Sequence, residues 1–211
     1  MNKLIQDDCL TVLRKLADKS VDLLCTDPPY GLGIANNTSL GWGGVAHNLR
    51  TKFTSKAWDV APVEEYFSEM RRVSKAQIIW GGNYFAHMLP LTQCWLVWWK
   101  KDGLPRGTFA DCELAWTSFK APARVFNSRW HGFIRDSKEA RVAHPTQKAL
   151  EVMKWCISEF SSKGELILDP FAGSGTTLVA AHQLGRRFIG IEQDAEYIEM
   201  ANKRLLAAGR K

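Results

Sequence analysis

An α/β fold, with a sheet assembled from βα units, is predicted by three features of the sequence. Short apolar runs that stop at Gly, Pro or Asp alternate with longer segments of helical periodicity. Two of these runs, the one entering Asp27-Pro28-Pro29-Tyr30 and the one entering Asp169-Pro170-Phe171, read as buried strands that end abruptly. A length of 211 residues gives one such domain a substantial core and is short for two.

The elements follow in order. Strands are expected at Lys3 to Gln6, Val21 to Thr26, Gln77 to Trp80, Cys94 to Trp99, Cys112 to Phe119, Leu166 to Asp169 and Arg187 to Glu192. Helices are expected at Cys9 to Leu16, Val63 to Val73, Thr146 to Phe160, Thr176 to Leu184 and Ala195 to Leu206. Two stretches break the alternation. Residues 31–59 carry Gly31, Gly33, Gly41, Gly43 and Gly44 among polar residues, and a long Gly-rich connection in a small domain is expected to act as a lid. Residues 121–142 mix Arg124, Arg129, Arg135, Lys138 and Arg141 with Phe126, Trp130, His131 and Phe133, a composition that suits a nucleic-acid surface, with a solvated basic loop as the alternative.

Charge and cysteine usage narrow the function classes. A net charge of +6 and a pI near 9.1 suit a polyanionic partner and are also ordinary for a mildly basic protein. Nine tryptophans are many for this length, but several fall where a core would want them, so they do not by themselves indicate base stacking. Cys9, Cys25, Cys94, Cys112 and Cys156 form no CxxC pair, so no metal site is expected and a reduced cytoplasmic protein fits. The start, MNKLIQDDCL, lacks a signal-peptide core, and no apolar run of about 18 residues could span a membrane.

The first chemical motif closes the Val21 to Thr26 strand. Consecutive prolines at 28 and 29 fix φ twice and remove two backbone donors, which frees the carbonyls of Asp27 and Pro28 to face a ligand. A carboxylate, a carbonyl and the Tyr30 ring at a strand's carboxyl end fit a planar base that bears an amino group. The second motif, Leu166 to Thr177, is a strand followed by Phe171-Ala172-Gly173-Ser174-Gly175-Thr176 opening a helix. Glycines there allow backbone to approach a cofactor, while the absence of both GxGxxG spacing and a following Lys argues against a dinucleotide or a nucleoside triphosphate. Glu192, ending the next strand, is placed to accept hydrogen bonds from ribose hydroxyls.

In the order DPPY, His144-Pro145-Thr146-Gln147-Lys148, DPFAGSGTT, these motifs resemble the amino-methylating DNA methyltransferases of the permuted β group, and look closest to the small enzymes of phages and prophages. The resemblance reaches Gln6-Asp7-Asp8-Cys9-Leu10 and Ile79-Trp80-Gly81-Gly82-Asn83-Tyr84, and so covers nearly the whole chain. It implies a Rossmann-like class I methyltransferase fold over residues 1–211. That fold has a seven-stranded, mostly parallel sheet with one antiparallel strand, and here a circularly permuted motif order.

The resemblance further implies S-adenosylmethionine as cofactor and double-stranded DNA as substrate. Asp27, Pro28, Pro29 and Tyr30 would be catalytic. Asp8, Cys9, Asp27, His144, Thr146, Lys148, Asp169, Phe171, Ala172, Gly173, Ser174, Gly175, Thr176, Glu192 and Gln193 would hold the cofactor. His144 and Thr146 read equally well as the start of a helix. The family's separate recognition domain has no counterpart of similar size here. Arg124, Arg129, Arg135 and Arg141, the 31–59 lid, or a second copy of the chain in a homodimer are therefore expected to hold DNA. Adenine N6 is favoured by Asp at the first motif position, and cytosine N4, structured RNA, or DNA binding without catalysis stay open. Protein-glutamine methylation disagrees with the chain, since its tetrapeptide begins with Asn and its cofactor loop comes first.

Overall fold

A computed structural model describes residues 2–32, 60–100, 110–131, 134–135 and 147–209. The strands are β1 (Lys3–Gln6), β2 (Val21–Thr26), β3 (Ser74–Trp80), β4 (Leu96–Trp99), β5 (Cys112–Thr117), β6 (Arg124–Asn127), β7 (Trp130–His131), β8 (Ile134–Arg135), β9 (Leu166–Asp169) and β10 (Arg187–Glu192). The helices are α1 (Cys9–Leu13), α2 (Glu64–Val73), α3 (Leu150–Phe160), α4 (Thr176–Gln183) and α5 (Ala195–Ala208). The main sheet runs β1-β10-β9-β2-β3-β5-β4-β6, and β7 and β8 form a separate antiparallel pair. Only β5 opposes its neighbours in the main sheet, pairing antiparallel with both β3 and β4.

The single antiparallel strand agrees with expectation, and the strand count does not. The main sheet has eight strands among the described residues, because β6 joins parallel to β4 in the register Leu96↔Arg124 to Trp99↔Asn127. This strand lies in the segment expected to be a loop. Its four residues, Arg-Val-Phe-Asn, carry too little alternation to signal a strand, and pairing with β4 supplies what local sequence does not. Helix α3 also departs from expectation by starting at Leu150 and not at Thr146. Ala149 caps it in an extended conformation, with φ −64° and ψ 133°.

Alternate residues of the central strands face two apolar layers. Leu23, Cys25, Ile78, Trp80 and Ile167 pack with Val152, Met153, Cys156 and Ile157 of α3 and Leu178 of α4. Leu24, Ile79 and Leu168 face the other way, onto Val12 and Leu13 of α1 and Phe67, Met70 and Val73 of α2. Strands covered on both sides account for the continuous apolar runs, and each fully buried large side chain contributes roughly 1.5–3 kcal/mol. Trp80, Trp98 and Trp116 are among the buried residues, so part of the tryptophan excess belongs to the core. The two motif strands, β2 and β9, are parallel neighbours at the middle of the sheet, so their carboxyl ends open on the same edge.

Candidate active site

Local sequence fixes the cofactor side first. Strand β9 ends at Asp169, which is 3% exposed, and its Oδ1 accepts from the Thr26 hydroxyl at 2.6 Å and from the Phe171 amide at 3.1 Å. Burial raises its pKa to about 6 against those donors. The chain then turns through Gly173 (φ +48°) and Gly175 (φ +78°), and Gly175 caps α4 in a left-handed conformation that side chains disfavour. The turn is held from two sides. Glu192 accepts from the Gly173 amide through Oε2 and from the Asp194 amide through Oε1, each at 2.9 Å. From α5, Arg204 Nη1 donates to the Ser174 carbonyl at 2.7 Å and to the Thr176 hydroxyl at 2.9 Å.

Beside it, β1 pairs with β10 through Gln6↔Glu192, which brings Asp8 close to the same edge. Asp8 caps α1 by accepting from the Thr11 amide at 2.8 Å, and its Oδ2 accepts from Gln193 Nε2 at 3.0 Å. Cys9 is buried, and burial together with Asp8 pushes its thiol up to about 12, which keeps it protonated at neutral pH.

On the catalytic side, β2 delivers Asp27 to the rim of the same edge. Tyr30 donates its hydroxyl to Asp27 Oδ1 at 2.5 Å, and Lys148 Nζ lies 3.1 Å from Asp27 Oδ2. Lys148 is buried, pairs also with Glu113 of β5, and sits over the rings of Trp80 at 5.1 Å and Tyr30 at 5.9 Å. Glu113 is held in turn by Lys100 at 2.7 Å. Burial opposes ionisation of Glu113, but the two lysines hold it down to about 2. Pro28 is buried behind Asp27.

The Tyr30 ring is closely packed. Tyr84 stacks on it with centroids 4.8 Å apart and planes at 24°, and Phe85 meets it edge-on at 6.1 Å. A side chain at Gly81 (φ +69°) would place its first carbon 2.1 Å from Tyr30 Cε1, so the glycine at that position is required by the ring. The base-stacking surface expected on Tyr30 is thus covered on one face by a second aromatic.

The two sides share one cleft, lined by Asp27, Lys148, Asp169, Phe171, Ala172, Gly173, Ser174 and Thr176 together with Gln147, Met153 and Thr177. Glu192, Asp8, Cys9 and Gln193 stand at the neighbouring strand ends and are not part of this lining. His144 and Thr146 lie outside the described residues, as do Arg141 and residues 33–59 of the expected lid. Arg124 and Arg129 are exposed in and just after β6, at the far edge of the sheet, and Arg135 falls in β8. Glu113, Lys100 and Tyr84 were not among the residues expected from sequence. An isolated acid in the apolar run Cys112-Glu113-Leu114-Ala115-Trp116 is the signal that points to Glu113, because such a carboxylate demands a cationic partner.

The lining holds two carboxylates and one ammonium that is itself paired, and the turn carries no lysine or arginine of its own. Backbone exposed at glycines beside Asp27 and Asp169, with Glu192 at the next strand end, suits a cationic ligand with hydroxyls better than a polyphosphate. A sulfonium-bearing nucleoside such as S-adenosylmethionine meets that description.

Comparison with known proteins agrees. The DNA methylase family model, covering N6 and N4 amino-methyltransferases, matches residues 87–203, more than half the chain. A putative methylase, YubD, of Escherichia coli K12 is 29% identical over all of this chain and 92% of its own length. The type II methyltransferase M.HpaI of Haemophilus parainfluenzae is 27% identical over 96% of this chain and 74% of its own length. Among solved structures, that of an M1.HpyAVI complex with S-adenosylmethionine superposes with a TM-score of 0.63 at 24% identity, over 97% of this chain and all of that one.

Proposed function

The chain belongs to the DNA methylase family, whose members are S-adenosylmethionine-dependent amino-methyltransferases, and from that premise we propose that it methylates adenine N6 in double-stranded DNA at the carboxyl ends of β2 and β9. The observation that supports this most is the shared cleft, which joins Asp27 to the glycine turn. Asp rather than Ser at the first motif position favours adenine over cytosine N4.

The bound cofactor supplies an electrophilic methyl group on a sulfonium. Phe171 and the Gly173–Gly175 turn would hold it, with Glu192 and Asp8 toward its hydroxyls and adenine. The chain's own task is the amino group. That group is paired and stacked in a duplex, so the base must be extruded, at a cost of a few kcal/mol. Stacking on the face of Tyr30 that Tyr84 covers requires Tyr84 to move aside, since centroids at 4.8 Å leave no slot between them. Asp27 accepts one amino hydrogen and draws the nitrogen toward sp³, which aims its lone pair at the methyl carbon. The nitrogen takes the methyl group as the methyl–sulfur bond breaks, with that electron pair left on the now neutral sulfur; nitrogen is left cationic, and its proton passes to Asp27. Burial pushes the Asp27 carboxyl above the ordinary range, which makes it a better acceptor for that proton than an exposed carboxylate.

DNA affinity is assigned to phosphate contacts. Four strand spacings separate β2 from β6, so at about 4.8 Å each the exposed Arg124 lies roughly 19 Å from the catalytic strand, a span of five or six nucleotides along a duplex. Incubation with unmethylated DNA and labelled cofactor, followed by nucleoside mass spectrometry, should yield N6-methyladenine. Recovery of N4-methylcytosine, or of methylated RNA alone, overturns the assignment. A salt titration of binding should lose about one unit of log–log slope in Arg129→Ala if that residue contacts phosphate.

A further inference from the structure

Resemblance places Lys148 among the cofactor ligands, yet its surroundings give it other work. The side chain is 7% exposed, and a buried ammonium costs several kcal/mol unless it is paired. An ammonium has three protons to donate. Asp27 Oδ2 at 3.1 Å, the Tyr30 hydroxyl oxygen at 3.3 Å and Glu113 Oε2 provide three acceptors, with none of the donors left over for a ribose or a carboxylate of a bound nucleoside. The Trp80 and Trp98 rings, 5.1 Å and 5.9 Å away, close the remaining space with apolar surface.

We propose that Lys148 is a positioning residue for methyl transfer, keeping Asp27 ionised and fixed at the cleft, and that Glu113 sets the Lys148 ammonium in place. This rests on the reading that Asp27 handles the target amino group.

The charges around Asp27 come from each element packed against it. Tyr30 donates from its own segment, Lys148 approaches from the segment before α3, Glu113 from β5, and Asp169 stands at the end of the neighbouring β9. Burial raises the Asp27 pKa, Lys148 lowers it and Glu113 raises it. The two neighbours, being of opposite charge, act on Asp27 with opposite sign.

The test uses the full-length protein with Lys148→Met, Lys148→Arg and Glu113→Gln. Three quantities are read: the Asp27 carboxyl titration by carbon NMR, the S-adenosylmethionine dissociation constant by calorimetry, and the pH profile of single-turnover methyl transfer to DNA. Lys148→Met should move the Asp27 midpoint and the acid limb of the rate profile upward by about 1–3 units. Lys148→Arg should stay close to wild type, Glu113→Gln should move the midpoint downward, and cofactor affinity should change less than about threefold in each. Loss of cofactor affinity of about tenfold or more with an unmoved Asp27 midpoint makes Lys148 a cofactor ligand and overturns the proposal. Shifts of the same sign in Lys148→Met and Glu113→Gln overturn it as well. If Lys148→Met does not fold, Lys148→Gln, which also removes the charge, is read in the same three ways. Failure of the underlying reading is distinct, since it shows as absence of methyl transfer by wild type, whereas the carboxyl titration needs no turnover.

Discussion

Two adjacent strands of this sheet end in the same dipeptide, Asp-Pro, and the two aspartates are kept in opposite ways. Asp169 of β9 is satisfied by neutral donors, the Thr26 and Thr177 hydroxyls and a backbone amide, and among the described residues no ion pair to it is found. Asp27, following β2, is held by an ammonium and a phenol. The register Leu24↔Leu168 sets Asp169 level with Cys25, so Asp27 reaches two residues further toward the rim. The inner carboxylate takes part in a turn, and the outer one stands at the cleft beside an ammonium. Position along the strand and the kind of donor, more than the motif itself, separate the two tasks.

The largest test of that contrast is Asp27→Ala. Turnover should fall by at least about 100-fold while thermal stability and most cofactor affinity persist, because the carboxylate acts on the substrate. Activity above a tenth of wild type would put both aspartates in the same, structural class.

Gly175→Ala probes the turn that Asp169 organises. The position has φ +78°, and an added carbon would stand 2.7 Å from Ala201 Cβ, so backbone strain and a clash with α5 coincide. Stability should drop by about 1–3 kcal/mol in urea unfolding, with weaker cofactor binding in calorimetry. An unchanged midpoint would mean that α5 yields freely.

Asp169→Asn separates the two carboxylates by pH. The folded pKa of Asp169, about 6, lies above the ordinary value of 3.8, so its contribution is fully present at low pH and is lost as pH rises through about 6. The amide keeps an acceptor for Thr26 and Phe171 and does not ionise. Relative to wild type, the variant should therefore gain stability between pH 4 and pH 7, by on the order of 3 kcal/mol. A flat difference across that range would show that Asp169 titrates normally.

Tyr30→Phe is expected to have the smallest effect. If stacking were the ring's whole role, phenylalanine would serve almost as well, but the hydroxyl donates to Asp27 at 2.5 Å. A several-fold loss of single-turnover rate with unchanged cofactor affinity is expected, in line with one hydrogen bond of about 1 kcal/mol. Wild-type rates would return the ring to stacking alone.

Much of this was legible before any coordinates. Prolines and glycines punctuate the chain where β2, β3 and β9 stop, and the glycine turn announces itself by residue type. What sequence could not supply is partnership at a distance. Lys148 and Glu113 are 35 positions apart, and neither has a local pattern that names the other. The same holds for β6, which exists because β4 offers an edge to four residues of weak propensity. Resemblance placed Lys148 among the cofactor ligands, and only the geometry shows which groups its ammonium faces.

The pairing of β2 with β9 has a bearing on how the molecule is made. Thr26 and Asp169, which hydrogen-bond across that seam, are 143 positions apart. Contacts of such separation close late, because the intervening chain must first surrender its freedom. During synthesis, the segment bearing Asp27 leaves the ribosome well before the strand that completes its surroundings. Until β9 docks, β2 offers an unpaired apolar edge, and a nascent chain of this kind is exposed to aggregation in that interval. The cleft is thus among the last parts of the protein to come into being, although Asp27 on its rim is among the first residues to be translated.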